Sequence, residues 1–162
     1  MYNKSVFRVI AISDCFGINI IDYSDEYKDL VKNFIFNILE FEFNSPENQK
    51  LDKDLYDINN FYKNGFFKLL IDKTGNIVGV FSTDIIDNEV IFKRFYLDKT
   101  IRGKGISQLL FNIVIDFAKS KNINKIKLIV DKNFERAISF YKKNKFVIEK
   151  EKKQVFIISK TI

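Results

Sequence analysis

The feature that most constrains this chain is an unbroken amphipathic segment set between two β-branched runs. Ile106, Leu109, Leu110, Ile113, Val114, Phe117 and Ala118 keep the i, i+3, i+4, i+7 spacing of a helix with one apolar face. Glu89–Leu97 precedes it and Lys125–Val130 follows it, both reading as strands. A helix that crosses over between two strands of one sheet makes them a parallel pair. The rest of the fold has to be built around that unit.

Upstream, Phe66–Asp72, Ile77–Asp84 and Glu89–Leu97 are short strands separated by the turn signals Lys73-Thr74-Gly75-Asn76 and Asp87-Asn88, which predicts an antiparallel meander. Ile18–Asp22 reads as a first strand. It ends at Ser24, a helix-capping residue followed by Asp25 and Glu26, and Leu30, Val31, Phe34, Ile38 and Leu39 then carry a helix to about Phe41. The only proline, Pro46, marks a loop over Asn44–Gln49, and a weaker helical stretch follows near Leu51–Tyr62. Downstream, Phe134, Ala137, Ile138 and Tyr141 mark a shorter helix, and Phe146–Glu149 with Gln154–Ser159 close the chain as a hairpin. The order β-α-α-β-β-β-α-β-α-β-β predicts an α/β fold of the α+β kind: a mixed, mostly antiparallel sheet with a parallel pair around the crossover helix, flanked by helices.

Composition narrows the chemistry. With 162 residues, 46% of them hydrophobic, the chain is expected to form one domain over 1–162, with 1–17 as an N-terminal extension. The absence of histidine removes Ser-His-Asp and Cys-His catalysis and His-ligated zinc, and one cysteine, Cys15, excludes an internal disulfide framework and a cysteine metal cluster. Acid–base work falls to carboxylates, Tyr, Lys, backbone groups or water, with no metal expected. The apolar stretch Val9–Ile12 is cut short by Ser13 and Asp14, and no apolar run reaches 18 residues, so the expected setting is cytoplasmic, without a membrane partner.

The chemistry-bearing segment is Arg102-Gly103-Lys104-Gly105-Ile106-Ser107, between the strand ending at Leu97 and the crossover helix. Two glycines let the backbone turn tightly and present N–H groups at a helix N-terminus, where unsatisfied donors and the helix dipole favour an anion. The spacing is not that of a P-loop, and a dinucleotide fingerprint would need a small residue at Gln108. Alone, such a turn fits either a phosphate cradle or a plain loop entering a helix.

Taken with its surroundings it is more specific. Phe95-Tyr96-Leu97, then Arg102-x-x-Gly105-x-Ser107 opening an amphipathic helix, then Ala137-x-x-x-Tyr141 on the next helix resembles the GCN5-related N-acetyltransferase (GNAT) superfamily. The element order is similar from about Ile18 to Ser159, and the motifs run from Glu89 to Phe146. The resemblance implies a GNAT-like fold and an acetyltransferase that moves an acetyl group from acetyl-CoA to a primary amine by direct attack in a ternary complex. It further implies that Arg102, Gly103, Lys104, Gly105, Ile106 and Ser107 hold the pyrophosphate and that backbone groups of Phe95, Tyr96 and Leu97 meet the pantetheine arm. Ser107 replaces the usual last Gly or Ala. Asn133 lies four residues before Ala137, whereas the common family Asn lies three before, a place held here by Phe134. Asn144-Lys145-Phe146 stands where many members have an apolar residue, then Gly-Phe, so the turn after that helix is open to a different form.

By family position Tyr141 donates a proton to the leaving thiolate; a core tyrosine filling a helical position is the plain alternative. Glu89, thirteen residues before Arg102, stands where some members keep the base that deprotonates the amine, but beside the Asp87-Asn88 turn it reads equally as a solvated carboxylate, and many members use ordered water. The acceptor is expected to be a small-molecule or peptide amine. Glu40, Glu42, Asp54, Asp57, Tyr56, Phe61 and Tyr62 suit a cation, or form a surface helix with a packed aromatic face. Two other readings stand beside this: a GNAT-like acyl-CoA sensor without turnover, and a nucleic-acid module using Lys119, Lys121, Lys125, Lys127, Lys142, Lys143 and Lys145. Residues 1–60 carry a net charge of −5 and residues 117–162 a net +9, so the basic part is confined to the back of the chain. A homodimer is left open.

Overall fold

A computed structural model of the protein describes residues 12, 13 and 15–162. The expected N-terminal extension over 1–17 therefore lies mostly outside the described residues, but Ile12 is fully buried in the main core. The elements are β1 (Asn19–Asp22), α1 (Lys28–Phe43), α2 (Ile58–Phe61), β2 (Phe66–Ile71), β3 (Ile77–Ile86), β4 (Glu89–Leu97), α3 (Ile106–Ser120), β5 (Lys125–Asp131), α4 (Glu135–Lys143), β6 (Val147–Glu151) and β7 (Val155–Thr161). They form one seven-stranded sheet in the order β1-β2-β3-β4-β5-β7-β6. Every neighbouring pair is antiparallel except β4 and β5. The mixed sheet and its crossover helix follow the expected order.

Two apolar layers cover the sheet. On one face Leu110, Phe111, Val114 and Ala118 of α3 pack on Phe81, Phe92 and Ile126; on the other, Val31, Ile35 and Leu39 of α1 pack on Leu69 and Val80. Asp87 and Asn88 both take positive φ, the two-residue hairpin turn their chemistry favours.

Three local expectations change. Ser24 sits ahead of a short 3-10 helix, Asp25–Tyr27, and its hydroxyl donates to Glu26 rather than capping a backbone N–H. The predicted helix over Leu51–Tyr62 is instead a 3-10 turn, Lys53–Tyr56, followed by the single turn of α2, with Asp57 accepting from the Asn60 N–H. After α4 the chain keeps the tight stop that a glycine usually makes: Lys145 takes φ +63, the Phe146 N–H donates to the Tyr141 carbonyl and the Lys145 N–H to that of Lys142. This is the paired-bond helix ending, completed by ring contact between Phe146 and Tyr141.

Candidate active site

β4 and β5 are paired only at Val90↔Ile126 and Ile91↔Lys127. Beyond that the parallel strands part, and a cavity of about 800 Å³ opens where they separate. Its walls are the end of β4 (Phe95, Tyr96, Leu97), the loop into α3 (Arg102, Gly103, Gly105, Ser107), the start and inner face of α4 (Asn133, Phe134, Ala137, Tyr141) and the last turns of α1 (Ile38, Glu42, Phe43). Phe43 and Phe134 meet at 4.0 Å between ring centroids, so α1 and α4 touch across its rim.

Gly103 and Gly105 take φ +74 and +82, and a Cβ added at either would meet no protein atom within 4 Å. The positive φ explains why glycine is needed, and the open space lies in front of the first turn of α3, whose N–H groups have no partners within the helix. An anion fits there. Ser107 lines this end of the cavity; the Ile106 side chain is buried in the core beneath α3, leaving its backbone to the loop, and the Lys104 side chain is exposed outside the cavity lining. Arg102 is not a free cation. Its Nε donates to the Leu97 carbonyl at 2.7 Å and its two terminal nitrogens donate to both carboxylate oxygens of Glu42 at 2.7 and 2.6 Å. Those hydrogen bonds hold the Glu42 carboxyl below its ordinary value.

Tyr141 lines the cavity from α4 with its ring packed between Phe92, Phe140 and Phe146. Burial pushes its pKa up, with the neighbouring Tyr96 adding to the shift, so the phenol stays protonated. The Tyr96 pKa is raised as well, by burial first. Asn133 reaches the cavity wall, with its N–H donating to Asp131. Phe134, in the usual family position, supplies a ring instead of an amide.

Glu89 does not line the cavity. It begins β4, three residues before Phe92, whose ring packs on Tyr141. Its carboxylate pairs with Lys125 at 2.7 Å and Lys127 at 2.6 Å, whose hydrogen bonds hold its pKa down. Glu149, which joins the same two lysines, is lowered to about 2, first by the Lys125 hydrogen bond. These pairs also take Lys125 and Lys127 out of any basic face for nucleic acid.

The acceptor-side acids are largely committed elsewhere. Asp54 is buried against Arg94 and accepts from the Tyr62 hydroxyl, Asp57 caps α2, and Tyr56 lies under the Lys32 ammonium at 4.5 Å. Of the predicted acceptor group only Glu42 lines the cavity. Sequence reading missed Arg94, whose partners lie 40 and 42 residues earlier in the chain. No helix among the described residues is long and apolar enough to cross a membrane.

The family model described as acetyltransferase (GNAT) family matches residues 32–146. No curated protein matches the chain. Among solved structures, an acetyltransferase of the GNAT family from Staphylococcus aureus Mu50 is 31% identical, covers 89% of this chain and 98% of its own, and superposes with a TM-score of 0.79. The PaiA N-acetyltransferase of Thermoplasma acidophilum, solved with coenzyme A, is 19% identical over 90% of this chain and 99% of its own (TM-score 0.71). A spermidine N-acetyltransferase from Vibrio cholerae, solved with CoA and spermine, is 19% identical over 89% and 95% (TM-score 0.64).

Proposed function

The chain belongs to the GNAT family of acetyltransferases, and from that premise we propose that it transfers an acetyl group from acetyl-CoA to a primary amine, by direct attack within a ternary complex. The observation that carries this reading is the shared cavity: the glycine loop at the start of α3, the end of β4 and the Tyr141 phenol all open onto it. Acyl-CoA use is the family's chemistry, and the group supplies an activated thioester. The residues here fit it, because Gly103 and Gly105 leave the space before the α3 amides open and the β4 edge beyond Ile91 is free of β5.

Each residue then has a part. The loop N–H groups and the Ser107 hydroxyl hold the pyrophosphate, and the backbone of Phe95, Tyr96 and Leu97 together with Asn133 lines the way for the pantetheine arm. Tyr141 gives its proton to the sulfur as the C–S bond breaks. Since Glu89 is paired with Lys125 and Lys127 and does not line the cavity, water takes the proton from the attacking amine. The spermine bound in the Vibrio cholerae structure supports an amine as the acceptor class.

The experiment is a panel of primary amines, polyamines and peptide N-termini with acetyl-CoA, followed by free-thiol release, beside a thermal shift with CoA. A ligand that binds only the native state raises the apparent stability. Amine-dependent thiol release supports the enzyme. Stabilisation by CoA with no release across the panel favours a sensor, and no response to CoA species overturns both readings.

A further inference from the structure

β4 changes face part-way along its length, at a residue ill suited to the change. Before Lys93 the even-numbered Val90 and Phe92 point into the core under α3; after it the odd-numbered Phe95 and Leu97 do, and Tyr96 packs on the α1 side. The pairing shows why. Ser82 is opposite Lys93 and Val80 is opposite Tyr96, so Arg94 and Phe95 together stand across from Phe81 alone. This is a β-bulge, and Arg94 occupies it with φ +49, a conformation that crowds any Cβ and that glycine adopts freely.

A buried clamp holds Arg94 there. Its Nε and one terminal nitrogen donate to Asp54 at 3.0 and 2.6 Å, and the other terminal nitrogen donates to Asp52 at 2.9 Å. Both aspartates are only 7% exposed. Tyr62 donates to Asp54, the Asn48 N–H donates to Asp52, and the Ser82 hydroxyl donates to the Lys93 carbonyl. Every part of the network therefore converges on the bulge, and the residues immediately after it are the ones that face the cavity. A strand that lost the extra residue would return to regular alternation and exchange the faces of Phe95 and Tyr96.

We propose that Arg94 is a positioning residue for acyl-CoA: its clamp to Asp52 and Asp54 holds the β4 bulge, and the bulge turns Phe95, Tyr96 and Leu97 into the cavity. The inference rests on the acyl-CoA reading, so the test begins with CoA binding to the unmodified protein. Failure at that step overturns the functional reading and removes the basis of this one.

The test measures the CoA dissociation constant by calorimetry, well below the Tm of each variant. Arg94→Ala loses the clamp and keeps the strained Cβ, whereas Arg94→Gly loses the same clamp and relieves the strain. The expected result is a dissociation constant raised at least tenfold in Arg94→Ala and within about threefold of the parent in Arg94→Gly. A purely stabilising clamp would lower Tm and leave CoA affinity unchanged in the folded Arg94→Ala protein, and that result overturns the proposal. So does an Arg94→Gly protein as weak as Arg94→Ala. If Arg94→Ala does not fold, Asp52→Asn, which keeps the Asp54 pair, is expected to weaken CoA at least threefold; unchanged affinity there overturns the proposal equally.

Discussion

Arg102 and Glu42 face each other at the wall of the cavity, with two parallel N–H···O bonds joining the glycine loop before α3 to the last turns of α1. The guanidinium that the loop offers an anion is already met by an anion of the chain itself. Removing that charge with Glu42→Gln is expected to tighten CoA by about three- to tenfold, measured by calorimetry, and more so at low salt because the pair is partly exposed and screened. The sign of its pH dependence follows from the lowered Glu42 pKa: the pair's contribution is complete above the ordinary carboxylate range and is lost as pH falls through the lowered Glu42 pKa.

The glycine loop carries its own test. Gly105→Val places a branched side chain at φ +82 and in the space before the α3 amides, and is expected to raise the acetyl-CoA dissociation constant at least tenfold, about 1.4 kcal/mol. A folded variant with unchanged affinity would remove the loop from the binding site.

Lys145 offers a test of local strain apart from catalysis. It takes φ +63 where glycine ordinarily ends a helix, so Lys145→Gly is expected to stabilise the protein by roughly 0.5–1 kcal/mol after allowing for glycine's freedom in the unfolded chain. The check is thermal unfolding, with Tm raised by about 1–4 °C.

The elements legible in the sequence were those with strong local periods. The α3 stripe, the Asp87-Asn88 hairpin and the element order all follow from residues close together in the chain. What the sequence hid were pairings over long separations. The stretch after Pro46 has enough apolar residues for a helix, but Asp52 and Asp54 are drawn to Arg94 some 40 residues on, and the segment folds as two short turns around that clamp. Arg102 shows its charge in the sequence but not its partner 60 residues earlier. The β4 bulge was concealed because an arginine, not a glycine, occupies it.

Tyr141→Phe keeps the ring among Phe92, Phe140 and Phe146 and removes only the hydroxyl. Turnover is expected to fall roughly 10²-fold or more with acetyl-CoA affinity little changed, since the proposed mechanism gives the lost hydroxyl to the leaving sulfur and not to binding. A turnover within about threefold of the parent, with chemistry limiting, would make Tyr141 a core residue.

The base is decided by pH. A carboxylate base gives an acidic limb in kcat/KM at its own pKa, while water as base leaves the limb to the amine itself. Hydrogen bonds from Lys125 and then Lys127 lower the Glu89 pKa, so this group stays ionised near neutrality and cannot supply a limb there. With two alkyl amines whose pKa values differ by about two units, around 10, the limb is therefore expected to move with the amine. Glu89→Gln should leave kcat/KM within about threefold, because it touches Lys125 and Lys127 and not the cavity. A limb that stayed fixed between the two amines and disappeared in Glu89→Gln would bring the carboxylate back into the mechanism and require β4 to sit differently when substrate is bound.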